Sequence, residues 1–352
     1  MKKILKKIAY TIAITILKKL HKVITYDRFI IIAKNQGYFE KELIKNTLYD
    51  ISNYLEFSSN NDSEIEDSEN LIHRIIAHYH IIEKGLSFPD TKSGFGKEVM
   101  ISLINLIKRY ISLKHDTNNN QIQAALNAIF EYINYHKKIK YQIEEIEFHF
   151  ASLKKYLDKE SIHSTIELKK EDILRSCQIN FRGFVNSRYS IRDFSSVPVL
   201  VETVIDAIDI SRKTPSACNR QAWKTSLISN HKIIADVLKL QNGNRGFGHT
   251  INKLAIISSN LKAFSSFEER NQAYIDGGMF AMSLTYALHS KGIGSIILNW
   301  ATDSIKDIKL KELLKIPNSE VIVCLIGIGN YQASFSVPKS NRKDLSEIIR
   351  MI

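Results

Sequence analysis

Cysteine is scarce: Cys177, Cys218 and Cys324 are the three among 352 residues, and no CxxC occurs. An odd, scattered set excludes a disulfide framework and points to a reducing compartment. A long apolar run is also missing. The apolar stretch nearest the start, residues 8–17, is ten residues long, whereas a bilayer needs roughly 20. No small-residue cleavage site follows it, so neither a spanning helix nor a secretory signal is expected. There is no GxxxxGK[ST]. The glycines of Asn242-Gly243-Asn244-Arg245-Gly246-Phe247-Gly248 lack the GxGxxG order and follow no strand of a βαβ unit, which excludes P-loop and Rossmann readings and leaves a loop. No internal repeat and no nucleic-acid-binding module are present. His80 and Glu83 share a helix face three residues apart, as a metal-binding pair can, but no second pair at ligand spacing accompanies them, so no metal is assigned.

What is present is an ordinary folding chain with a basic bias. Hydrophobic residues make up 44% and charged residues 24%, which excludes wholesale disorder and allows two cores. The net charge of +12 divides into +4 over residues 1–180 (27 basic less 23 acidic) and +8 over 181–352 (22 less 14). Without a nucleic-acid module, this excess is better explained by a phosphate-bearing ligand and a basic start. Residues 1–23 hold seven lysines, and no acid precedes Asp27. Two readings stand for that segment: an interfacial helix on anionic lipid, or a helix docked on the rest of the chain, the simpler of the two.

Three regions are expected: the basic helix 1–23, a helical domain 24–180 and a mixed domain 181–352. In the second, apolar residues recur at helical spacing, as in Ile122, Leu126, Ile129 and Ile133, then Ile143, Ile146, Phe150 and Leu153, within a segment over about 121–159. Residues 58–70 and 114–120 read as loops, which leaves four to six helices in an irregular bundle. From about Phe181, strands at 223–229, 254–259 and 321–328 alternate with helices at 199–212 and 276–290, predicting an α+β sandwich. Cys324 lies inside the third strand and reads as a small core residue.

Two motifs carry chemistry. The first is Ser187-Arg188-Tyr189-Ser190-Ile191-Arg192-Asp193-Phe194; the second is Pro215-Ser216-Ala217-Cys218-Asn219-Arg220-Gln221-Ala222-Trp223. Two arginines around a serine, followed by a Ser/Asn/Gln turn, suit an anionic, flat, hydrogen-bonding ligand. Together they resemble the FMN-dependent nitroreductase family, whose motifs S-R-[RHY]-S-[IVT]-[RK]-x-F and P-S-x-x-N-x-Q-P-W they match except for Ala222 in place of the second proline. The resemblance covers about 181–352. It implies a nitroreductase-like antiparallel or mixed sheet flanked by helices, preceded here by an all-α domain. It also implies FMN, with Arg188 and Ser190 at the phosphate, Tyr189 among the cofactor-binding residues and Arg192 tuning the flavin from its pyrimidine edge. Pro215, Ser216, Asn219 and Gln221 would approach the flavin across a homodimer interface, and Ile297, Leu298 and Asn299 would run along its N5 side. Lys339 and Arg342 are further phosphate candidates. The small residues of Tyr274-Ile275-Asp276-Gly277-Gly278 resemble the family's central helix, where they would allow close helix–helix approach in a dimer core.

The resemblance implies ping-pong hydride transfer from NAD(P)H to a small-molecule acceptor in a cytoplasmic protein, with peripheral membrane contact open to residues 1–23. Nucleic acid is not an expected partner. No acid–base residue is assigned, because the cofactor carries the chemistry. Only about 14 residues, 260–273, stand where many relatives carry a longer lid. The helical domain could supply the missing wall, or the chain could be a flavin-binding scaffold without turnover.

Overall fold

The computed structural model describes residues 38–58, 66–157 and 164–352, with the backbone alone at 38–40. The lysine-rich segment 1–23, and the reading of it as a membrane or docking helix, lies outside the described residues. Among those described, the first half holds helices α1 (Tyr38–Phe57), α2 (Ser68–Leu86), α3 (Lys97–Ser112), α4 (Asn120–Lys138), α5 (Glu144–Ala151) and α6 (Lys170–Ser176). The second half runs α7 (Phe181–Ser187), α8 (Val201–Ser211), β1 (Trp223–Ile228), α9 (His231–Leu240), β2 (Lys253–Asn260), α10 (Gln272–Ser290), β3 (Ile293–Asn299), α11 (Ser304–Leu314), β4 (Glu320–Asn330) and α12 (Leu345–Ile348). The fold is α+β, with a helical first half, as the sequence predicts. Among the described residues no helix is long and apolar enough to cross a membrane.

The helices of the first half form where the sequence offers both a cap and a stripe. Asp67 caps α2 by accepting hydrogen bonds from the Glu69 and Asn70 N–H groups at 3.1 and 3.0 Å. Leu71, Ile75, Tyr79 and Ile82 then fall on one face and are buried. They meet Met100, Leu103, Ile104 and Ile107 of α3 and Ile122, Leu126 and Ile129 of α4 in one apolar cluster. Each such aliphatic side chain contributes about 1.5–3 kcal/mol on burial. The predicted loop 58–70 ends earlier than expected because of the Asp67 cap. The predicted segment 121–159 is broken between α4 and α5, where Lys140 takes a left-handed φ of 57°.

His80 and Glu83 do share a face of α2, and they bind each other: the His80 Nδ1 and a Glu83 carboxyl oxygen are 3.3 Å apart. Burial, then the neighbouring Glu131 charge, pushes the Glu83 carboxyl up to about 7. Burial pushes the His80 imidazole down. The pair is therefore best satisfied as a neutral imidazole beside a protonated acid. In the unfolded chain Glu83 ionises near 4.5, so its contribution to stability is complete below that pH and is lost as pH rises through about 7. Glu83→Gln removes the loss. Its melting temperature should match the parent's at pH 4 and exceed it at pH 8 by the equivalent of roughly 1–2 kcal/mol, after discounting for partial solvent screening. Thermal melts at the two pH values check this, and a parent and variant that differ equally at both would contradict it.

The chain divides into two compact units, of which one joins α1 to Thr302–Ser319. In that unit the Ser304 N–H donates to Asn46 at 2.6 Å and the Tyr49 hydroxyl donates to Asp307 at 2.8 Å. Lys311 pairs with Asp307 at 2.9 Å and lies over the Tyr49 ring, 5.6 Å from its centroid. Burial, reinforced by Asp307, pushes the Tyr49 phenol well up, so it stays a neutral donor.

The other unit contains the sheet. Its order is β1-β2-β4-β3, all pairs antiparallel. β2 is buried along its whole length because it lies between β1 and β4. Trp223, Ala255, Ile257, Ile326 and Ile328 share a core with Phe280, Ala281, Leu284 and Leu288 of α10, and Trp223 stacks on Phe280 at 5.0 Å. Cys324 belongs to this core, and burial pushes its thiol up to about 12. The close approach at Gly277 is to the sheet rather than to another helix. A Cβ there would stand 2.6 Å from Val323. Gly278, by contrast, faces open space. The α9 helix, strand β3 and α11 were not anticipated from the sequence.

Candidate functional site

The first motif is held along the outer edge of the sheet. Ser190 forms a parallel bridge with Ser295 of edge strand β3, and Phe194 an antiparallel bridge with Tyr331. The Ile191 N–H donates to the Ser295 carbonyl at 3.1 Å and the Ser195 N–H to that of Asn330 at 2.9 Å. Ile191 and Phe194 are buried and anchor the segment. Room for Phe194 comes from Gly329 of β4, where a Cβ would lie 2.6 Å from the ring. Ser187 adds a tie to the end of α10, its hydroxyl lying 2.8 Å from His289 Nε2, while His289 Nδ1 lies 3.1 Å from the Tyr331 hydroxyl. Burial, then the Arg188 charge, pushes the His289 imidazole down, so it is neutral at pH 7.

That anchoring leaves the polar members of the motif free. Arg188 and Ser190 are half-buried, and Tyr189 and Arg192 are exposed. Among the described residues neither arginine pairs with a carboxylate; Arg192 reaches the Ser190 carbonyl at 3.4 Å. Further along β3, Ile297 and Asn299 are exposed while Leu298 points into the core. The Asn299 carbonyl accepts from Gln241 at 3.1 Å.

The second motif folds as a strained turn. Cys218, Asn219 and Gln221 have φ of 51, 54 and 50°, a region that costs non-glycine residues roughly 1–2 kcal/mol each. Side chains over-determine it: the Ser216 hydroxyl accepts the Gln221 N–H at 3.0 Å, and the Gln221 amide donates to the Asn219 carbonyl at 2.9 Å. Arg220 is buried, donates its Nε–H to the Ala217 carbonyl at 3.0 Å, and forks onto both Glu269 oxygens. Burial favours the neutral Glu269 acid, but the Arg220 hydrogen bond and the Ser265 N–H outweigh it and hold the carboxyl below its usual range. Pro215 is exposed; Ser216, Asn219 and Gln221 are half-buried.

The two motifs do not meet within one chain. The turn is tied to the start of α10, where the Ala217 N–H donates to Asp276 at 3.1 Å. The Arg188 segment is tied to the end of the same helix through His289. Thirteen residues of helix separate Asp276 from His289, about 20 Å at 1.5 Å per residue. Lys339 and Arg342 lie in an exposed irregular segment, where Ser340 takes a left-handed φ of 49°, and Arg342 donates to the Ser340 carbonyl at 3.1 Å. No described contact brings either to Arg188. The residues that sequence reasoning passed over are Arg220 and Glu269, which carry the turn. The short spacing of Arg220 within the motif was a usable signal, whereas nothing local marks Glu269.

Residues 185–244 match the nitroreductase family. That stretch takes in both motifs, β1 and α9, and speaks for itself rather than for the whole chain. Solved structures give likenesses of the same kind. An FMN-dependent nitroreductase from Clostridium difficile is 18% identical over 48% of this chain and 98% of its own, with a TM-score of 0.42. The nitroreductase family protein from Streptococcus pneumoniae is 22% identical over 49% and 100%, at 0.43. A nitroreductase-like protein from Streptococcus mutans is 17% identical over 49% and 98%, at 0.43. No curated protein matches the chain. The helical first half lies outside the family match.

Proposed function

We propose that the protein is an FMN-dependent oxidoreductase of the nitroreductase type, taking reducing equivalents from NAD(P)H and passing them to a small-molecule acceptor in ping-pong order. The observation that carries this reading is the edge of β3, flanked by two arginines with no carboxylate partner among the described residues, inside a segment that matches the nitroreductase family. The donor set fits the group: two guanidiniums and the Ser190 hydroxyl suit a phosphate and a flat, acceptor-rich ring. Arg188 and Ser190, with Tyr189 beside them, would hold the phosphate. Arg192 would lie at the pyrimidine edge, where a fixed cation favours negative charge on the bound group. FMN, when bound, supplies the hydride chemistry, and this chain supplies binding, orientation and charge.

The turn at Pro215 completes a site only in a pair of subunits. The outer face of α10 exposes Tyr274, Ile275 and Met279 around the open Gly278. If two copies cross there antiparallel, the start of one α10 meets the end of the other. Pro215, Ser216, Asn219 and Gln221 of one subunit then face the Arg188 segment of its partner. Ile297 and Asn299 would line the same cleft. Lys339 and Arg342, both exposed and without a carboxylate partner among the described residues, are proposed to close on the phosphate once it is bound.

The competing reading is a flavin-binding scaffold without turnover. The observation in its favour is the segment 261–273, where Leu261, Ala263 and Phe264 are buried and no long lid follows. One preparation separates the two readings. The purified chain should be yellow, release FMN on denaturation, run as a dimer and consume NAD(P)H when a quinone or nitroarene is added. Yellow protein without NAD(P)H consumption supports the scaffold, and protein that cannot be loaded with FMN removes both.

A further inference from the structure

The helical half touches the second motif directly. The first turn of α2 is fixed to the strand ends next to it: Lys262 pairs with Asp67 at 2.7 Å and Glu69 at 3.2 Å. The Asn70 amide donates to the Lys262 carbonyl at 3.2 Å, and the Asn260 amide donates to Glu69 at 3.2 Å. Lys224 stands 3.8 Å from Glu69. Burial opposes charge on Lys262, yet its two carboxylate partners outweigh that and push its pKa up. From this anchor α2 runs over the 217–219 turn as well as over 261–263.

One turn into the helix lies His73, 8% exposed. Its Nδ1 is buried without a hydrogen-bond partner, and the ring makes a hydrogen bond to the backbone of Arg220. Burial, then the nearby Lys224 charge, pushes the imidazole pKa down to about 4. The ring is therefore neutral, with its one N–H serving Arg220. Arg220 is the residue between Asn219 and Gln221, both in the left-handed region. A strained turn of this kind persists only when its surroundings fix it. Glu269 grips the Arg220 side chain from one side, and His73 holds the Arg220 main chain from the other.

We infer that α2 serves as the outer wall of the flavin site and that His73 is the positioning residue through which it presents Ser216 and Asn219 to the cofactor. This rests on the flavin reading above. It assigns the helical half a task in the redox site and accounts for the fusion of the two halves. His73 does not touch the reacting atoms; it acts through the Arg220 backbone.

The test uses the full chain and FMN itself. His73→Leu keeps the volume and loses the N–H, and His73→Gln restores an N–H donor. Flavin fluorescence quenching gives the FMN Kd, and circular dichroism with a thermal melt reports the fold. His73→Leu is expected to bind FMN about ten-fold more weakly, the loss of roughly one buried hydrogen bond, with the glutamine variant within about three-fold of the parent. Should His73→Leu fail to fold, the half-exposed pair Asp67→Asn with Glu69→Gln loosens α2 from Lys262 while keeping a competent N-cap. About three-fold weaker FMN binding is expected there. A parent Kd in whichever variant folds, or a glutamine variant as weak as leucine, overturns the assignment. Parent protein that does not bind FMN at all overturns instead the flavin reading on which it rests.

Discussion

Replacing Arg188 and Arg192 together by alanine is expected to leave a folded, colourless protein. Neither side chain is fully buried and neither pairs with a carboxylate among the described residues, so the apo melting temperature should move little. A hydrogen bond from a charged donor is worth about 1.5–3 kcal/mol, which makes each loss roughly ten- to a hundred-fold in FMN affinity. The pair together should cost more than either change alone. Arg192→Lys should not restore the parent, because an ammonium keeps the charge but not the planar fork. Flavin content on purification and a fluorescence titration measure all of this. A double variant as yellow as the parent would remove the β3 edge as the cofactor site.

The second large effect is on the turn. Glu269→Gln takes the bidentate carboxylate from the buried Arg220 guanidinium and leaves only Asp276 within electrostatic reach among the described residues, and breaking a buried pair from one side costs about 3–5 kcal/mol. For a unit of this size that is a melting temperature lower by roughly 6–15 °C. Arg220 also lies over the Phe264 ring, 5.2 Å from its centroid, so the disturbance reaches the 261–264 segment. Removing both charges, Arg220→Met with Glu269→Leu, should recover much of the stability, since an apolar pair of similar volume needs no solvation. It should not recover FMN binding, because the Nε–H bond to Ala217 is gone. Differential scanning calorimetry and the same titration separate the two outcomes. A single variant that melts with the parent would show that the pair does not hold the turn.

The proposed site residues could be picked out in the sequence because they are local in it. Arg188, Ser190 and Arg192 sit within five residues, and Ser216 to Gln221 within six, so each group forms one continuous motif whose resemblance to the nitroreductase family proposes it for the site. The strands β1, β2 and β4 were legible too, as apolar runs with turn signals at their ends. β3 was not: its run 293–298 contains Gly294 and Ser295, both buried where the Arg188 segment lies alongside, and it shows no alternation. α11 hid for a different reason. It buries Lys311 and Ser304 while exposing Ile305 and Ile308, so its polar pattern is reversed by the partners it finds in α1. The role of His73 is invisible to any local reading, since it depends on the main chain of Arg220 far along the sequence. His80 and Glu83, three apart on one helix face, lie 3.3 Å from each other.

The pairing of α1 with α11 has a consequence for synthesis. Tyr49 waits for Asp307, 258 positions later. At ribosomal speeds of about 5–20 residues per second, that is a delay of roughly 13–50 s before α1 meets its partner. Throughout that interval the nascent helix presents a half-finished surface, so a segment made well before its partner is completed late, and chaperone demand should concentrate on it.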